Sequence, residues 1–131
     1  MALLILGLVL FVLLIVLHEY GHFLVAKRNG VEVEEFGIGF PPKLYGRKLG
    51  KGIFEGYYTI NLLPLGGFVK LKGENDADKR KGAFGSASTS VKLRIMLAGV
   101  AMNLLAALVF FTGVAWVGMP QLVPDQFTVS S

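Results

Sequence analysis

Two histidines and a glutamate stand together in the segment LHEYGHF, residues 17–23, where they form the pattern His-Glu-x-x-His. On an α-helix, residues four positions apart lie on one face, so His18 and His22 can bind one metal ion together. Glu19 lies next to His18, where it can hydrogen-bond a water at that metal and take its proton. The pattern therefore predicts a zinc site for hydrolysis, because zinc lowers the pKa of a bound water to near 7.

The motif lies in a stretch that resembles a membrane helix. Of the 131 residues, 53% are hydrophobic, and two apolar runs, residues 2–26 and 95–117, account for the excess. Each run exceeds the roughly 20 residues that cross a bilayer as a helix. The first run has neither a basic start nor a small-residue cleavage site before the motif, so we expect a retained helix rather than a signal peptide.

The depth of the motif favours the metal interpretation over that of ordinary packed histidines. An ionisable side chain inside a membrane costs at least about 2.5 kcal/mol, so three together without a function are not expected. With a rise of about 1.5 Å per residue, His18 lies roughly 13 Å and His22 roughly 8 Å from Lys27, the predicted cytosolic boundary. The predicted site is therefore inside the bilayer, and hydrolysis there requires a polar cavity.

The placement of charge predicts the topology. All 13 Lys and Arg residues lie between Lys27 and Arg94, in the connector of the two helices. The positive-inside rule then puts this connector in the cytosol and both chain ends outside, with Trp116 at the outer interface. Acidic residues are mixed with the basic ones, so the pI near 9.5 does not indicate a nucleic-acid partner. The chain has no Cys, which excludes disulfides and cysteine-bound metals.

The predicted fold class is an α-helical membrane protein in which two transmembrane helices are joined by a cytosolic or membrane re-entrant β-hairpin region. Alternating and β-branched stretches predict three or four short strands in the connector, and Ser90 is a candidate cap of the second helix. The predicted segments are a first helix with the motif, a Gly-rich β region, a flexible cytosolic loop, a second helix and the start of an extracytoplasmic segment: residues 1–27, 28–73, 74–90, 91–118 and 119–131.

The glycine-rich part of the connector is apolar enough to dip into the membrane. Irregular backbone is tolerated at that depth where protein covers it or where it lines a wet cavity. We expect a re-entrant sheet beside the metal whose free edge pairs with an extended substrate segment. Four glycines are the candidate substrate-binding positions in this region: Gly37, Gly39, Gly66 and Gly67. The alternative is a small soluble cytosolic sheet.

The second apolar run contains small residues on one stripe, among them Gly99 and Ala107, which allow helices to approach closely in lipid. Gly21 has the same property in the first helix. We therefore expect the two helices to pack here, with Asn103 near the metal. Asn103 is a further candidate for substrate binding; an ordinary hydrogen bond between the helices is the alternative.

Four stretches together resemble one known family: LHEYGHF, FGIGFPPKL, LLPLGGFVKLKGE and KLRIMLAGVAMNLLAALVFF. In this order they look like the N-terminal portion of a site-2 protease, an intramembrane zinc metalloprotease of the regulator of sigma-E protease type. The resemblance implies that His18 and His22 bind Zn²⁺ and that Glu19 activates water. It also implies a multi-pass protein of the cell inner (plasma) membrane that cleaves transmembrane segments of membrane-anchored regulators, such as anti-sigma factors, in regulated intramembrane proteolysis.

A third zinc ligand is missing from the chain. Catalytic zinc normally takes three protein ligands, and the remaining acidic residues are predicted to lie in the connector or outside. In the family, an aspartate from a later Leu-Asp-Gly helix completes the site. We therefore expect the remainder of the protease to supply an Asp ligand, and this fragment to be inactive alone.

Two other functions compete with the protease. One is a non-catalytic membrane module that binds partner or substrate segments by pairing at its β edge. The other is a piece of a metal transporter, which we rank below because two adjacent histidines with a glutamate suit hydrolysis better than ion passage.

Overall fold

The computed structural model describes residues 1–74 and 79–118, in which two long helices flank a two-stranded antiparallel sheet. The elements are α1, Ala2–Arg28; β1, Val33–Leu49; β2, Gly56–Leu71; and α2, Thr89–Val117. Single 3₁₀ turns occur at Gly52–Phe54 and Phe84–Ser86. The predicted combination of two apolar helices and a small antiparallel sheet is confirmed, with two long bent strands where short ones were expected.

Both helices are long and apolar enough to cross a membrane. Most of their large hydrophobic side chains are exposed: Leu3 is 84% exposed in α1, and Trp116 is 89% exposed in α2. An apolar surface of this extent is unusual on a monomer in water, whereas lipid tails solvate it without penalty. The helices therefore have the surface of membrane spans.

The ends of the helices differ slightly from the sequence prediction. After Arg28, the side-chain amide of Asn29 donates a hydrogen bond to the carbonyl of Val25 at 2.7 Å. The second helix begins at Thr89, and its cap is Ser88, whose hydroxyl accepts from the Val91 N–H at 3.3 Å. Ser90 thus lies inside the helix. The predicted flexible loop falls partly, and the predicted extracytoplasmic segment wholly, outside the described residues.

The sheet folds back on itself because both strands bend. The first half of β1 has β2 on both sides: Phe36 pairs with Val69 and with Tyr58, and Ile38 pairs with Gly67 and with Ile60. The second half, from Lys43 to Leu49, pairs with residues 56–61 alone among the described residues. This second half therefore forms one edge of the sheet.

The sheet lies along α1 from the basic end of the helix to a point beyond the histidines. At the basic end, a core of Ala26, Val31, Leu71 and Ile95 joins α1, the sheet and α2. At the other end, a Cβ at Gly66 would lie 3.1 Å from Ile15 Cγ2, and one at Gly67 would lie 3.5 Å from Val16. The bend of β2 thus reaches one helical turn past His18.

Candidate metal centre

Two glycines allow α1 and α2 to touch beside the motif. A Cβ on Gly21 would lie 2.6 Å from the carbonyl oxygen of Ala98, and one on Gly99 would lie 2.5 Å from Cε1 and Nε2 of His18. Neither distance is possible for a real side chain, so only glycine permits this approach. The structure confirms the predicted packing of the two helices at these small residues.

The motif side chains form a compact group of possible metal ligands. One ligand atom from each of His18, Glu19 and His22 lies within 4.8 Å of the others, and all three residues are half-buried. The two imidazole rings meet edge to face with centroids 4.8 Å apart. Since a Zn–N bond is about 2.0–2.1 Å, two nitrogens on one ion are at most about 4 Å apart. The ligand atoms would therefore have to move slightly closer together to share one ion.

The backbone of α2 fixes the orientation of His22. Nδ1 of His22 lies 2.6 Å from the carbonyl oxygen of Ile95. A carbonyl oxygen only accepts hydrogen bonds, so Nδ1 carries the proton and donates it. The lone pair of the ring is then on Nε2, which is the arrangement that metal-binding histidines normally adopt.

Asn103 is the corresponding neighbour of His18. Its amide nitrogen Nδ2 lies 3.4 Å from Nδ1 of His18. The amide oxygen Oδ1 is buried and has no hydrogen-bond partner among residues 1–74 and 79–118. The structure thus brings this predicted site residue to the metal group, in contact with a histidine.

The contacts from α2 follow one stripe of the helix. Ile95, Gly99 and Asn103 are spaced four residues apart, like the two histidines that they touch. Two imidazoles held at their Nδ1 side, together with an adjacent carboxylate, match the donor set that zinc prefers. On these contacts the residues fit a zinc ion with two histidine ligands.

An aromatic cluster attaches the sheet to the motif helix. Tyr20 and Phe23 stack with ring centroids 5.2 Å apart, and both contact Phe36 of β1 and Tyr58 of β2. The Tyr58 hydroxyl donates to the carbonyl of Phe54 at 2.6 Å, so the hydroxyl of Tyr20, 3.2 Å away, donates to Tyr58. Burial raises the pKa of Tyr58, which therefore stays a neutral phenol.

Openings lie on both sides of the histidine pair. A pocket of about 370 Å³ is bordered by Phe11, Leu14, Ile15, His18 and Asn103. A second one, of about 240 Å³, adjoins His22 and is lined by Glu74, by Phe84 and by apolar residues of β2 and α2. Each of the two histidines therefore borders a cavity of its own.

The four glycines predicted to bind substrate are buried at contacts within the protein. Gly37 lies against the ring of Phe68, while Gly39 has φ +82° and approaches the carbonyl oxygen of Leu63. Gly66 lies against Ile15 of α1, and Gly67 lies against the carbonyl oxygen of Gly37 and near Val16. The structure thus explains these glycines by close packing, and their role in substrate binding stays a prediction.

Sequence analysis missed three contributors to this region. The carbonyl of Ile95 leaves no trace in a sequence because every residue has one. Tyr58 belongs to a strand rich in aromatic residues, and only its pairing with Tyr20 distinguishes it. Asn61 was detectable as a polar residue in an apolar stretch; it is buried, and its amide lies 3.3 and 3.4 Å from the carbonyls of Ile38 and Gly39.

A helix-borne His-Glu-x-x-His group whose histidines are held from a second helix is the type of site found in zinc metallopeptidases. Here it lies between two helices that are long enough to span a membrane. The chain belongs to peptidase family M50, the site-2 protease family, whose sequence model matches residues 6–129.

Several curated proteins are similar to this chain. A Clostridium perfringens protein, provisionally named a zinc metalloprotease, is 44% identical over 109 residues, which are 83% of this chain and 31% of the relative. The zinc metalloprotease Rip1 of Mycobacterium tuberculosis is 38% identical over 128 residues, 90% of this chain and 31% of Rip1. The chain spans about a third of the length of the relatives it matches.

Proposed function

We propose that this chain is the N-terminal part of a zinc-dependent intramembrane endopeptidase. The observation that carries the proposal is the hydrogen bond from His22 Nδ1 to the Ile95 carbonyl, which leaves Nε2 available beside His18 and Glu19. In this function His18 and His22 are zinc ligands and Glu19 is the general base. Membership of family M50 and the names of the relatives support zinc-dependent proteolysis.

Each residue of the motif has a separate task. A bound zinc supplies Lewis-acid activation of water and of the scissile carbonyl. Glu19 accepts a proton from the attacking water and passes it to the departing amine. His18 and His22 contribute neutral imidazoles, whose orientation is maintained by α2.

The proposed zinc site needs a third protein ligand. In the part of the chain that the structure describes, Glu19 is the one acidic residue grouped with the two histidines. Its proposed task as a base leaves the third ligand position for a carboxylate. We assign that ligand to an aspartate in the remainder of the protease, so the 131 residues alone do not cleave.

We further propose that the sheet is re-entrant and presents substrate to the metal. Its bend lies beside Ile15 and Val16, deeper in the helix than His18, and Leu62, Leu63 and Leu65 are exposed there. Apolar side chains at that level suit lipid. The edge formed by residues 43–49 offers backbone groups for pairing with an extended peptide.

The proposed substrates are transmembrane segments of membrane-anchored regulators, such as anti-sigma factors, which are cut in regulated intramembrane proteolysis. The proposed location is the cell inner (plasma) membrane. Lys27, Arg28 and Arg94 lie at the end where α1 and α2 enter the connector, which supports a cytosolic connector and extracytoplasmic termini.

The decisive experiment is Glu19→Gln in the complete protease reconstituted in lipid. We expect cleavage of a transmembrane substrate to fall by at least about 100-fold while bound zinc stays at the wild-type level, because the amide cannot take a proton. Glu55→Gln, an exposed acid in the connector, is the control and should cleave normally. Undiminished cleavage by the Glu19 variant would refute the protease proposal.

A second experiment tests the placement of the sheet. Cysteines at Ile38 and Leu65, both exposed to the surroundings of the protein, should resist water-soluble thiol reagents when the chain is in a bilayer. A cysteine at Lys51 is the matched control and should react freely. Rapid labelling of all three positions would favour a cytosolic sheet.

The alternative function is a non-catalytic module that captures membrane segments at its β edge. The free edge of residues 43–49 is the observation that favours it. Such a module would retain partner binding in Glu19→Gln and in His18→Ala alike, and would not depend on zinc.

A further inference from the structure

The two histidines differ in how their Nδ1 atoms are held. His22 donates to a backbone carbonyl, that of Ile95, which admits one tautomer. His18 has the side-chain amide of Asn103 in the equivalent place, at 3.4 Å. An amide carries an acceptor and two donors, so it can hold either tautomer of an imidazole, depending on which end faces the ring.

We propose that Asn103 is a positioning residue that accepts a hydrogen bond from His18 Nδ1 through Oδ1 and thereby directs Nε2 to the metal. The inference rests on the proposed function in one respect, that His18 is a zinc ligand. It assigns Asn103 to the histidine, and not to the substrate.

The donors and acceptors of the Asn103 amide support the orientation in which Oδ1 faces Nδ1 of His18. With Nδ2 towards His18, the ring nitrogen Nδ1 must be unprotonated, and Nε2 then carries the proton and cannot bind a metal. The same orientation leaves Oδ1 buried without a partner among the described residues. The nitrogen and oxygen of an amide occupy nearly the same space, so a half-turn puts Oδ1 where it accepts the Nδ1 proton.

Gly99 restricts His18 to the neighbourhood of Asn103. The virtual Cβ of Gly99 is 2.5 Å from Cε1 and Nε2 and 2.7 Å from Cδ2 of His18, so the face of the ring lies against the backbone of α2. Asn103 follows one turn later on the same stripe. The contact with Gly99 thus limits the tilt of the His18 ring. The Asn103 amide determines which ring nitrogen of His18 carries the proton.

The test compares two replacements of similar size. Asn103→Asp keeps an acceptor and loses the donor, whereas Asn103→Leu loses both. Thr112→Val removes a hydroxyl from an exposed part of α2 and is the control for reduced polarity. Nitrogen NMR of the metal-free chain in lipid nanodiscs reports the tautomer of each histidine separately.

We expect His18 to be protonated at Nδ1 in the wild type, in Asn103→Asp and in Thr112→Val, and to shift towards the Nε2 form in Asn103→Leu. His22 should keep its Nδ1 proton throughout, which verifies that the helices remain packed. An Nε2-protonated His18 in the wild type, or an unchanged tautomer in Asn103→Leu, would overturn the inference. Loss of the Nδ1 form in Asn103→Asp would also contradict the acceptor role.

Zinc affinity of the complete protease, measured by competition with a chelator, provides an independent readout. Loss of a residue that orients a metal ligand typically weakens binding by about 10–100-fold, and we expect this for Asn103→Leu. Asn103→Asp should stay within a few-fold of the wild type. Equal losses in both variants would assign Asn103 a donor or purely structural role.

The two proposals fail in different ways. Full zinc binding by His18→Ala would refute the proposed function and leave the tautomer result intact. If the His18 tautomer stays unchanged in Asn103→Leu while His18→Ala loses zinc binding, only the positioning role of Asn103 is refuted.

Discussion

The two halves of the helix pair differ in what lies between the helices. Beside the motif, α1 and α2 meet at backbone distance through Gly21 and Gly99. Towards the start of α1 they are separated by an apolar cleft of about 600 Å³, bordered by leucines of α1 and by Met102, Leu105 and Phe110 of α2. The helices are therefore joined at the site and spread apart beyond it.

Four helical glycines reflect this difference. A Cβ on Gly21 or Gly99 would collide with the opposite helix, whereas one on Gly7 or Gly113 would meet nothing within 4 Å. Replacing glycine by alanine should therefore disturb the helix packing in the half that contains the motif. In the other half the same change should affect little more than helix propensity. Tight packing between the two helices is therefore concentrated beside His18 and His22.

Gly99→Ala is expected to have the largest effect. Its methyl group would lie 2.5 Å from atoms of the His18 ring, so the ring of this proposed zinc ligand must move. We expect zinc affinity of the complete protease to fall by on the order of 100-fold, about 2.7 kcal/mol, in chelator competition. Gly113→Ala is the matched control and should bind zinc normally; a similar loss there would mean that the two halves do not differ.

Gly21→Ala should have the next largest effect. The new methyl group would lie 2.6 Å from the Ala98 carbonyl oxygen, which belongs to the helix backbone and cannot rotate away. Overpacking of this kind costs about 1–3 kcal/mol. Unfolding in a mixed-detergent titration measures the loss of stability, and Gly7→Ala should be within about 1 kcal/mol of the wild type. Equal stability of the two variants would contradict close contact at the motif.

Tyr58→Phe should have the smallest effect and tests the attachment of the sheet. The change removes the hydrogen bonds with Tyr20 and the Phe54 carbonyl but keeps the ring in the aromatic cluster. We expect a loss of about 0.5–1.5 kcal/mol of stability in the same titration. Tyr45→Phe, at an exposed position on β1, should be neutral; a larger effect at Tyr45 would show that the sheet is held elsewhere.

The sequence predicted the elements whose causes are local. Apolar runs beyond 20 residues predict the helices, and the spacing of His18 and His22 predicts a shared helix face. The small residues Gly21 and Gly99 correctly predicted where the helices meet. The helices, the shared face of the histidines and the helix contact follow from the local composition and from the helical spacing of the residues.

The remainder depends on contacts between distant parts of the chain. The bend that places β1 between two parts of β2 depends on pairings such as Phe36 with Val69 and with Tyr58, which no local pattern specifies. The cap at Ser88 was missed because Ser88, Thr89 and Ser90 are all suitable cap residues. The contact of Ile95 with His22 involves a main-chain atom, so the identity of the side chain carries no information about it.

The stripe on α2 has a mechanical consequence. Both imidazoles contact α2: His22 contacts the Ile95 carbonyl and His18 contacts the Asn103 amide, eight residues further along the helix. Sliding α2 by a single residue, about 1.5 Å, would carry both supports in the same direction and disengage them simultaneously. A displacement of α2 along its axis would therefore misalign both histidines together.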